Sequence, residues 1–417
     1  MPIIREPARD LPVTGSYDLV VVGGGVAGVA AALAGARAGA SVALIEKEYG
    51  LGGLATLGNI IVYEPLCDGH GRQIVGGLGE ELLKRSVRDL GRDCRRLGLE
   101  RAPACWTGSG SDEERSQKRY VARYNPAAFQ LELEALITEA GIDLWYDTRL
   151  CQVIRAGDRI THLVIENKDG RGALACGVVV DASGDADVCH LAGETTVSLD
   201  TNVLAGWHYC LRDDELSLRA LSKRFPDDGG TEGTEGPLFS GVRARDVTRQ
   251  VVGSRAWIRE QFATLRAKHP GVDIQPVALA SFPNFRMTRR LETSCTLRGS
   301  DENRWFDDCI GMTGHWRRRG PVYALPWRSI RADRVRNLMA VGRCMASSDQ
   351  AWDCTRVIPP AIVTGEAAGV AAALAMQGLE GDLHRLDIGV LQDRLRSQGA
   401  IIDRSLIPGE VARVAGG

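Results

Sequence analysis

The sequence lacks the features that mark secreted, membrane-spanning or nucleic-acid-binding proteins. Residues 1–16 contain acids and prolines but no apolar leader segment, and the one uncharged run of eighteen residues, 19–36, includes five glycines. The net charge is −2 and only six of the 51 basic residues are lysines, so we expect no general attraction to nucleic acid or to an anionic membrane. These absences favour a cytoplasmic protein with neither kind of partner.

Cysteine is present, but its spacing suits neither cross-linking nor metal binding. The 11 cysteines are an odd number and include no C-x-x-C pair. A disulfide framework, a zinc cage and an iron–sulfur cage are therefore unexpected, and we predict no metal site. The 417 residues, 44% of them hydrophobic, are sufficient for two domains with a large core.

The segment Tyr17–Thr56 carries the strongest motif. An apolar run predicts a buried strand, and Gly23, Gly25 and Gly28 follow it with the spacing G-x-G-x-x-G. The first glycine permits a tight turn, the second lets the backbone approach a pyrophosphate, and the third lets the next helix pack on the strand. A second apolar strand ends at Glu46, where a carboxylate can bind the hydroxyls of a ribose. This order predicts a dinucleotide site.

Two later segments also run from a buried strand into a glycine turn. The first is Val178–Asp187, in which the turn lets the backbone meet a cofactor. Asp185 or Asp187 could equally cap the short helix that follows, and for Asp187 we favour the cap. The second segment, 337–375, ends in a helix of small residues that has Pro359 at its entrance, where proline is tolerated.

The residues GGLATLG at 52–58 resemble a G-G-x-A-T-x-G run of the FAD-dependent oxidoreductases of the glutathione reductase/succinate dehydrogenase flavoprotein type. The A-S-G-D turn at 182–185 and the helix entered at 356–361 are similar to runs of the same family. The resemblance implies FAD as the cofactor, with the 52–58 loop beside its phosphates and ring. The positive end of the helix would then stabilise the reduced ring.

The resemblance assigns residues from four separate parts of the chain to FAD binding. They are Gly23, Gly25, Val26, Ala27, Gly28, Glu46, Lys47, Gly52, Gly53, Ala55, Thr56, Ser183, Gly184, Asp185, Gly342, Arg343, Arg356, Val357, Pro359 and Ala361. The expected fold class is α/β: a Rossmann-like FAD-binding domain, with a parallel sheet and a β-meander crossover, plus an inserted α+β substrate domain.

The domain boundaries follow from where the motifs stop. We predict that residues 1–195 and 331–417, the latter with a C-terminal helix, form the FAD-binding domain. Residues 196–330 contain no second G-x-G-x-x-G and are predicted to be the substrate domain, with helices near 213–225 and 241–268.

Four residues outside the FAD motifs are candidates for the chemistry. Arg289 could clamp a carboxylate, steady an oxyanion or form a salt bridge between domains. His315 or Tyr323 could accept the proton of a hydroxyl or amine. Cys67 could be a buried structural thiol, a redox-active thiol or an attachment point for the flavin. For Asp353 we expect helix capping or an arginine partner rather than acid–base work.

These features favour an FAD-dependent dehydrogenase or oxidase acting on a small molecule. Hydride would leave a C–H next to oxygen or nitrogen for flavin N5, and oxygen or an electron carrier would reoxidise the flavin. One alternative is a reductase or monooxygenase fed by NAD(P)H. A second is a protein that uses FAD structurally or in a non-redox rearrangement. A homodimer is compatible with the sequence.

Overall fold

The structure is a computed structural model that describes residues 3–88, 111, 113 and 121–409. Its strands are β1 (Val13–Val22), β2 (Val42–Ile45), β3 (Val62–Tyr63), β4 (Ala122–Arg123), β5 (Asp143–Trp145), β6 (Arg149–Ala156), β7 (Arg159–Asn167), β8 (Gly170–Asp181), β9 (Thr196–Ser198), β10 (Ala205–Arg212), β11 (Glu215–Ser222), β12 (Ile274–Leu279), β13 (Arg289–Leu291), β14 (Cys309–Gly314), β15 (Val322–Pro326) and β16 (Leu338–Ala340). Its helices are α1 (Val26–Arg37), α2 (Leu78–Ser86), α3 (Pro126–Glu139), α4 (Asp187–Leu191), α5 (Ala244–Lys268), α6 (Asp349–Thr355), α7 (Ile358–Met376) and α8 (Ile388–Ser397).

The central element is a seven-stranded mixed sheet in the order β5-β2-β1-β8-β7-β6, with β16 added beside β8. Strand β1 is parallel to β2 and β8, and β2 is parallel to β5. The first half of β8 pairs antiparallel with β7, whereas its last residues pair parallel with β16. The parallel sheet and the β6–β8 meander confirm the predicted α/β, Rossmann-like fold class.

Four parallel strands end at the same level of this sheet. Val22, the last residue of β1, pairs in register with Ile45 and with Asp181, the last residues of β2 and β8. Ala340, at the end of β16, also pairs with Asp181. Ligands of open α/β sheets bind outside the carboxyl ends of the strands, so this edge is where a cofactor is expected.

Side chains alternate across β1 because strand residues point to opposite faces. Leu19 and Val21 join the core that contains α1 and α7, whereas Val20 and Val22 join a second core under the meander and α4. Each face of the sheet is therefore covered by a layer of apolar residues.

Helices α1 and α7 pack at backbone distance. A Cβ placed on Gly365 would lie 2.1 Å from the Ala27 carbonyl oxygen, and one on Gly369 would lie 2.2 Å from that of Ala31. Among the described residues, α7 is the one helix long and apolar enough to cross a membrane, and 94% of its apolar stretch is buried inside the fold.

A smaller antiparallel sheet, β11-β10-β12, is covered by α5. The prediction of a helix near 213–225 is wrong, because Glu215–Ser222 is a strand paired with β10 from Ala205↔Ser222 to Arg212↔Glu215. The helix predicted at 241–268 is present as α5. The hairpin β14–β15 packs in the same core as α7. The proposed domain boundaries at 195 and 330 stay a prediction.

Candidate functional site

A cleft runs along the carboxyl edge of the central sheet. Its empty volume is about 1210 Å³, including the open mouth. The cleft is lined by the ends of β1, β2 and β8, the loop at 52–55, residues 341–343 and the start of α7. The three predicted motifs therefore meet around one space, although they are far apart in the sequence.

The three glycines of the first motif have different surroundings. Gly23 has φ +107°, and a Cβ there would lie 2.4 Å from the Ala182 carbonyl oxygen. A Cβ on Gly28 would lie 1.8 Å from the Gly23 carbonyl oxygen, which no side chain tolerates. A Cβ on Gly25 would meet nothing within 4 Å, so this position faces the open cleft. The space over Gly25 and the free N–H groups of α1 fit a pyrophosphate.

The Glu46 carboxylate lies at one end of the cleft. It is buried, and its Oε2 accepts a hydrogen bond from the Gly24 N–H at 2.6 Å while Oε1 accepts one from the Glu48 N–H at 2.9 Å. Burial raises the pKa of Glu46, and these two N–H groups oppose the rise. Residues 148–150, which sequence analysis did not identify, line the same end. This end fits the adenosine part of a dinucleotide, with Glu46 as the ribose ligand.

The turn after β8 gives its two aspartates different roles. Asp185 is outside the cleft wall; its Oδ1 accepts hydrogen bonds from the Thr288 hydroxyl at 2.6 Å and from Arg343 Nη2 at 3.2 Å. Asp187, for which we favoured a capping role, lines the cleft and accepts a hydrogen bond from Arg289 Nη2 at 2.5 Å. Arg289 thus supports the cleft wall from behind through Asp187.

Arg343 joins three segments of the chain. Its Nε donates to the Gly184 carbonyl oxygen at 2.6 Å, and its Nη1 donates to the Phe285 carbonyl oxygen at 2.6 Å. Because Arg343 also contacts Asp185, it fixes the β8 turn and the segment before β13 around the cleft.

Most residues assigned to FAD binding line the cleft. Those that do are Gly23, Gly25, Val26, Ala27, Glu46, Lys47, Gly52, Gly53, Ala55, Ser183, Gly184, Gly342, Arg343, Arg356 and Ala361; those that do not are Gly28, Thr56, Asp185, Val357 and Pro359. The second group supports the turns and the helix start from behind. No group of three or more His, Cys, Asp or Glu side chains within the described ranges is arranged to hold a metal ion.

None of the four catalytic candidates lines the cleft. Cys67 and Tyr323 are fully buried, and the Tyr323 hydroxyl has no hydrogen-bond partner in the described part of the chain. Burial raises the pKa of Tyr323 further above its usual value. His315 is buried, and its Nδ1 accepts a hydrogen bond from the backbone N–H of Arg317 at 3.2 Å. Burial lowers the pKa of His315. Arg289 supports the wall, as described.

The opposite end of the cleft, at the start of α7, is rich in charge. Asp353 is 1% exposed, and its two oxygens accept hydrogen bonds from Arg356 Nη2 and, at 2.7 Å, from Arg317 Nε. Burial would raise the pKa of Asp353, but the two guanidinium groups outweigh burial and lower it. Asp353 therefore has the arginine partners that the sequence predicted. Arg356 lines the cleft, and its buried Nε has no hydrogen-bond partner among the described residues.

Two residues that sequence analysis missed accompany this pair. Glu64 Oε2 accepts a long hydrogen bond, 3.4 Å, from the Ile358 N–H, and burial raises the pKa of Glu64 to about 7. The Arg286 guanidinium stacks 3.8 Å from the centre of the Phe225 ring, and burial lowers the pKa of Arg286 to about 9. Neither has a spacing signal of its own in the sequence.

A glycine turn at a strand end, an acid at the next strand end and a third segment closing the cleft are the features of a dinucleotide-binding protein. Residues 18–201 and 209–395 match the FAD dependent oxidoreductase family, and the chain belongs to that family. The cofactor is therefore FAD, and the protein is an oxidoreductase enzyme, as the sequence predicts.

The proteins to which this chain is similar carry the names of different activities. It is 28% identical over 188 residues to the tRNA uridine 5-carboxymethylaminomethyl modification enzyme MnmG of Chlorobium phaeovibrioides, a match spanning 44% of this chain and 28% of that enzyme. A geranylgeranyl bacteriochlorophyll reductase-like protein of Thermoplasma acidophilum superposes with a TM-score of 0.42 and 14% identity over 96% of each chain. A flavocytochrome c3 fumarate reductase gives a TM-score of 0.39 and 14% identity over 87% of this chain and 79% of its own. These similarities do not identify the reaction.

Proposed function

We propose that this enzyme is an FAD-dependent dehydrogenase or oxidase that removes hydride from a C–H next to oxygen or nitrogen in a small molecule. The observation that carries the proposal is the position of Glu64, whose carboxylate accepts the N–H of Ile358 at the start of α7 and whose pKa burial raises to about 7. A group that takes a proton at neutral pH works best when its pKa is close to the ambient pH. Bound FAD would be the two-electron acceptor.

Glu64 is a better candidate for proton acceptor than the residues favoured by sequence. Like His315 and Tyr323 it does not line the cleft, but its carboxylate contacts Ile358, which does. The pKa of Tyr323 is raised, so its phenolate is inaccessible at neutral pH. His315 is neutral and could accept a proton, but its Nδ1 already accepts the Arg317 N–H. In the proposal, Glu64 takes the heteroatom proton as the substrate is oxidised.

The start of α7 supports the other half of the reaction. Ile358 and Ala361 line the cleft from the first turn of this helix, whose N–H groups carry partial positive charge. Arg356 adds a full charge beside it. Positive charge at this position would stabilise negative charge on a reduced cofactor. We also propose that oxygen or an electron carrier reoxidises the flavin and that the enzyme binds neither nucleic acid nor a membrane. Its proposed location is the cytoplasm, and its proposed oligomeric state is a homodimer.

The test is anaerobic reduction of the FAD-loaded protein by classes of metabolite. Sugars, amines, amino acids and hydroxy acids are added separately, followed by NADH and NADPH, and loss of the visible flavin absorbance is recorded. Bleaching by one organic class, reversed by air, is the expected result. Rapid bleaching by a nicotinamide alone would replace the proposal with the reductase or monooxygenase alternative. A flavin that none of them bleaches would favour a structural or non-redox role.

The role of Glu64 is tested by the Glu64→Gln variant, which keeps the size of the side chain. Loss of a general base slows a reaction by about 10²–10⁴-fold, so we expect slower bleaching by the substrate with an unchanged spectrum of the oxidised flavin. The His315→Gln variant tests the competing base. If His315→Gln is slowed and Glu64→Gln is not, the proton acceptor is His315.

A further inference from the structure

Three arginines and two carboxylates lie close enough to interact electrostatically near the start of α7, and Arg356 is the member of this group that lines the cleft. The charged cluster consists of Arg286, Arg317, Arg356, Asp353 and Glu64. Asp353 offers one oxygen to Arg317 and the other to Arg356, so a single buried anion serves two cations. Among the described residues, Arg286 forms no ion pair; its Nη2 donates to the Ser222 hydroxyl at 2.8 Å. The cluster therefore contains more positive charge than its two acids can neutralise.

The arginines also retain unused donors. A guanidinium has five N–H groups, and a buried donor without a partner is unfavourable, the more so when it is charged. Arg356 uses Nη2 for Asp353 while its Nε is buried without a partner in the described part of the chain. The Arg286 guanidinium lies 3.8 Å from the centre of the Phe225 ring, and its Nη2 is the nitrogen that donates to the Ser222 hydroxyl. These donors are preorganised for a ligand.

The balance of charge indicates what kind of ligand fits. When Glu64 is ionised, three guanidinium groups face two carboxylates, and one positive charge is left over. Asp227 also lies near, with its Oδ2 3.9 Å from Arg317 Nε, but its side chain is 41% exposed and solvent screens its charge. A single monoanion balances the cluster. The planar fork of arginine matches the two oxygens of a carboxylate.

We propose, resting on the function proposed above, that the substrate is a small carboxylate whose carboxylate group binds Arg286 and Arg356. Its oxidisable carbon then lies in the cleft near Glu64. Arg317 is a positioning residue, because it holds the Asp353 carboxylate that also orients Arg356.

The test measures binding without turnover. The protein loaded with oxidised FAD is titrated anaerobically with hydroxy, amino, keto and dicarboxylic acids and with their neutral amides, and binding is followed by calorimetry and by the flavin spectrum. We expect at least one acid to bind saturably and its amide to bind about tenfold more weakly or worse. Equal binding of acid and amide, or no saturable binding by any acid, would overturn the proposal. Tighter binding of inorganic phosphate than of every carboxylate would also overturn it.

Variants locate the site of binding. Arg286→Met keeps the packing on Phe225 but removes the charge, and we expect it to weaken the binding of the acid about tenfold or more while FAD stays bound. Arg259→Met, an exposed position on α5, is the matched control and is expected to change nothing. Arg286→Lys, which keeps the charge without the fork, serves if the methionine variant does not fold; it should lose less.

A folded, FAD-loaded Arg286→Met protein with unchanged affinity for the acid would refute the assignment. The outcome is separate from that of the proposed reaction. If a carboxylate binds but does not bleach the flavin, only the dehydrogenase proposal is contradicted. If a neutral substrate bleaches the flavin, only the carboxylate proposal is contradicted.

Discussion

At the scale of single residues, the glycines of the first motif separate the needs of the fold from those of the cofactor. Gly28 is required because the Gly23 carbonyl oxygen occupies the place of its side chain, whereas the space beside Gly25 is open. Gly25 has φ −64°, which any residue adopts. The protein alone therefore gives no reason for glycine at position 25, and a ligand over the backbone supplies one.

Alanine at these two positions is expected to affect different quantities, the stability of the protein at position 28 and the affinity for FAD at position 25. Gly28→Ala forces its Cβ against backbone, and overpacking of this kind lowers the free energy of unfolding by about 1–3 kcal/mol or more. Gly25→Ala should leave the stability of the FAD-free protein unchanged but weaken FAD binding by about tenfold, equivalent to about 1.4 kcal/mol. Thermal unfolding of the FAD-free proteins and titration with FAD measure the two quantities. Normal FAD affinity in Gly25→Ala would show that the pyrophosphate does not lie over Gly25.

At the scale of elements, those specified by local sequence patterns were predicted better than those that depend on pairing with another strand. The β1–α1–β2 unit could be predicted because its strand, turn and helix signals are contiguous. The strand Glu215–Ser222 was mistaken for a helix, because its pairing with β10 outweighs the helix propensity of its residues. Glu64 and Arg286 were missed for a related reason: each becomes chemically unusual only through burial and neighbours that come from distant segments.

Helix α7 contains a buried acid that should make stability depend on pH. Glu366 is 3% exposed and accepts a hydrogen bond from the Leu78 N–H at 3.0 Å. Burial raises its pKa from 4.5 to about 7, a change worth about 3 kcal/mol. The folded state keeps this proton longer than the unfolded state does. The contribution of Glu366 to stability is therefore complete below about pH 4.5 and is lost as the pH rises through 7.

We therefore expect Glu366→Gln to be more stable than the wild type at pH 8 by up to about 3 kcal/mol, with the difference disappearing near pH 4.5. Glutamine can still accept the Leu78 N–H. Denaturant unfolding at several pH values gives the comparison, and Glu260→Gln, at an exposed position on α5, is the control. Parallel pH profiles for Glu366→Gln and the wild type would show that Glu366 is ionised in the folded protein.

At the scale of the whole molecule, the cleft is built from parts of the chain that are far apart in the sequence. Its walls come from the first strands, from the turn after β8 and from the start of α7. A ligand that contacts all of these walls binds the folded chain and not the unfolded one. Binding of that kind stabilises a protein by mass action.

FAD should therefore raise the free energy of unfolding by about 2.7 kcal/mol when present at one hundred times its dissociation constant. Riboflavin lacks the adenosine that we place beside Glu46, and we expect it to stabilise less at the same concentration. Thermal unfolding with each compound makes the comparison. Equal stabilisation by both would mean that the Glu46 end of the cleft does not hold adenosine.

The assembly of the cleft from distant segments has a consequence for the living cell. We expect chains that have not yet bound FAD to unfold more often than loaded ones and therefore to be degraded sooner by proteases. The amount of this enzyme should then follow the vitamin supply of the cell, falling under riboflavin limitation even while its messenger RNA is translated at the same rate.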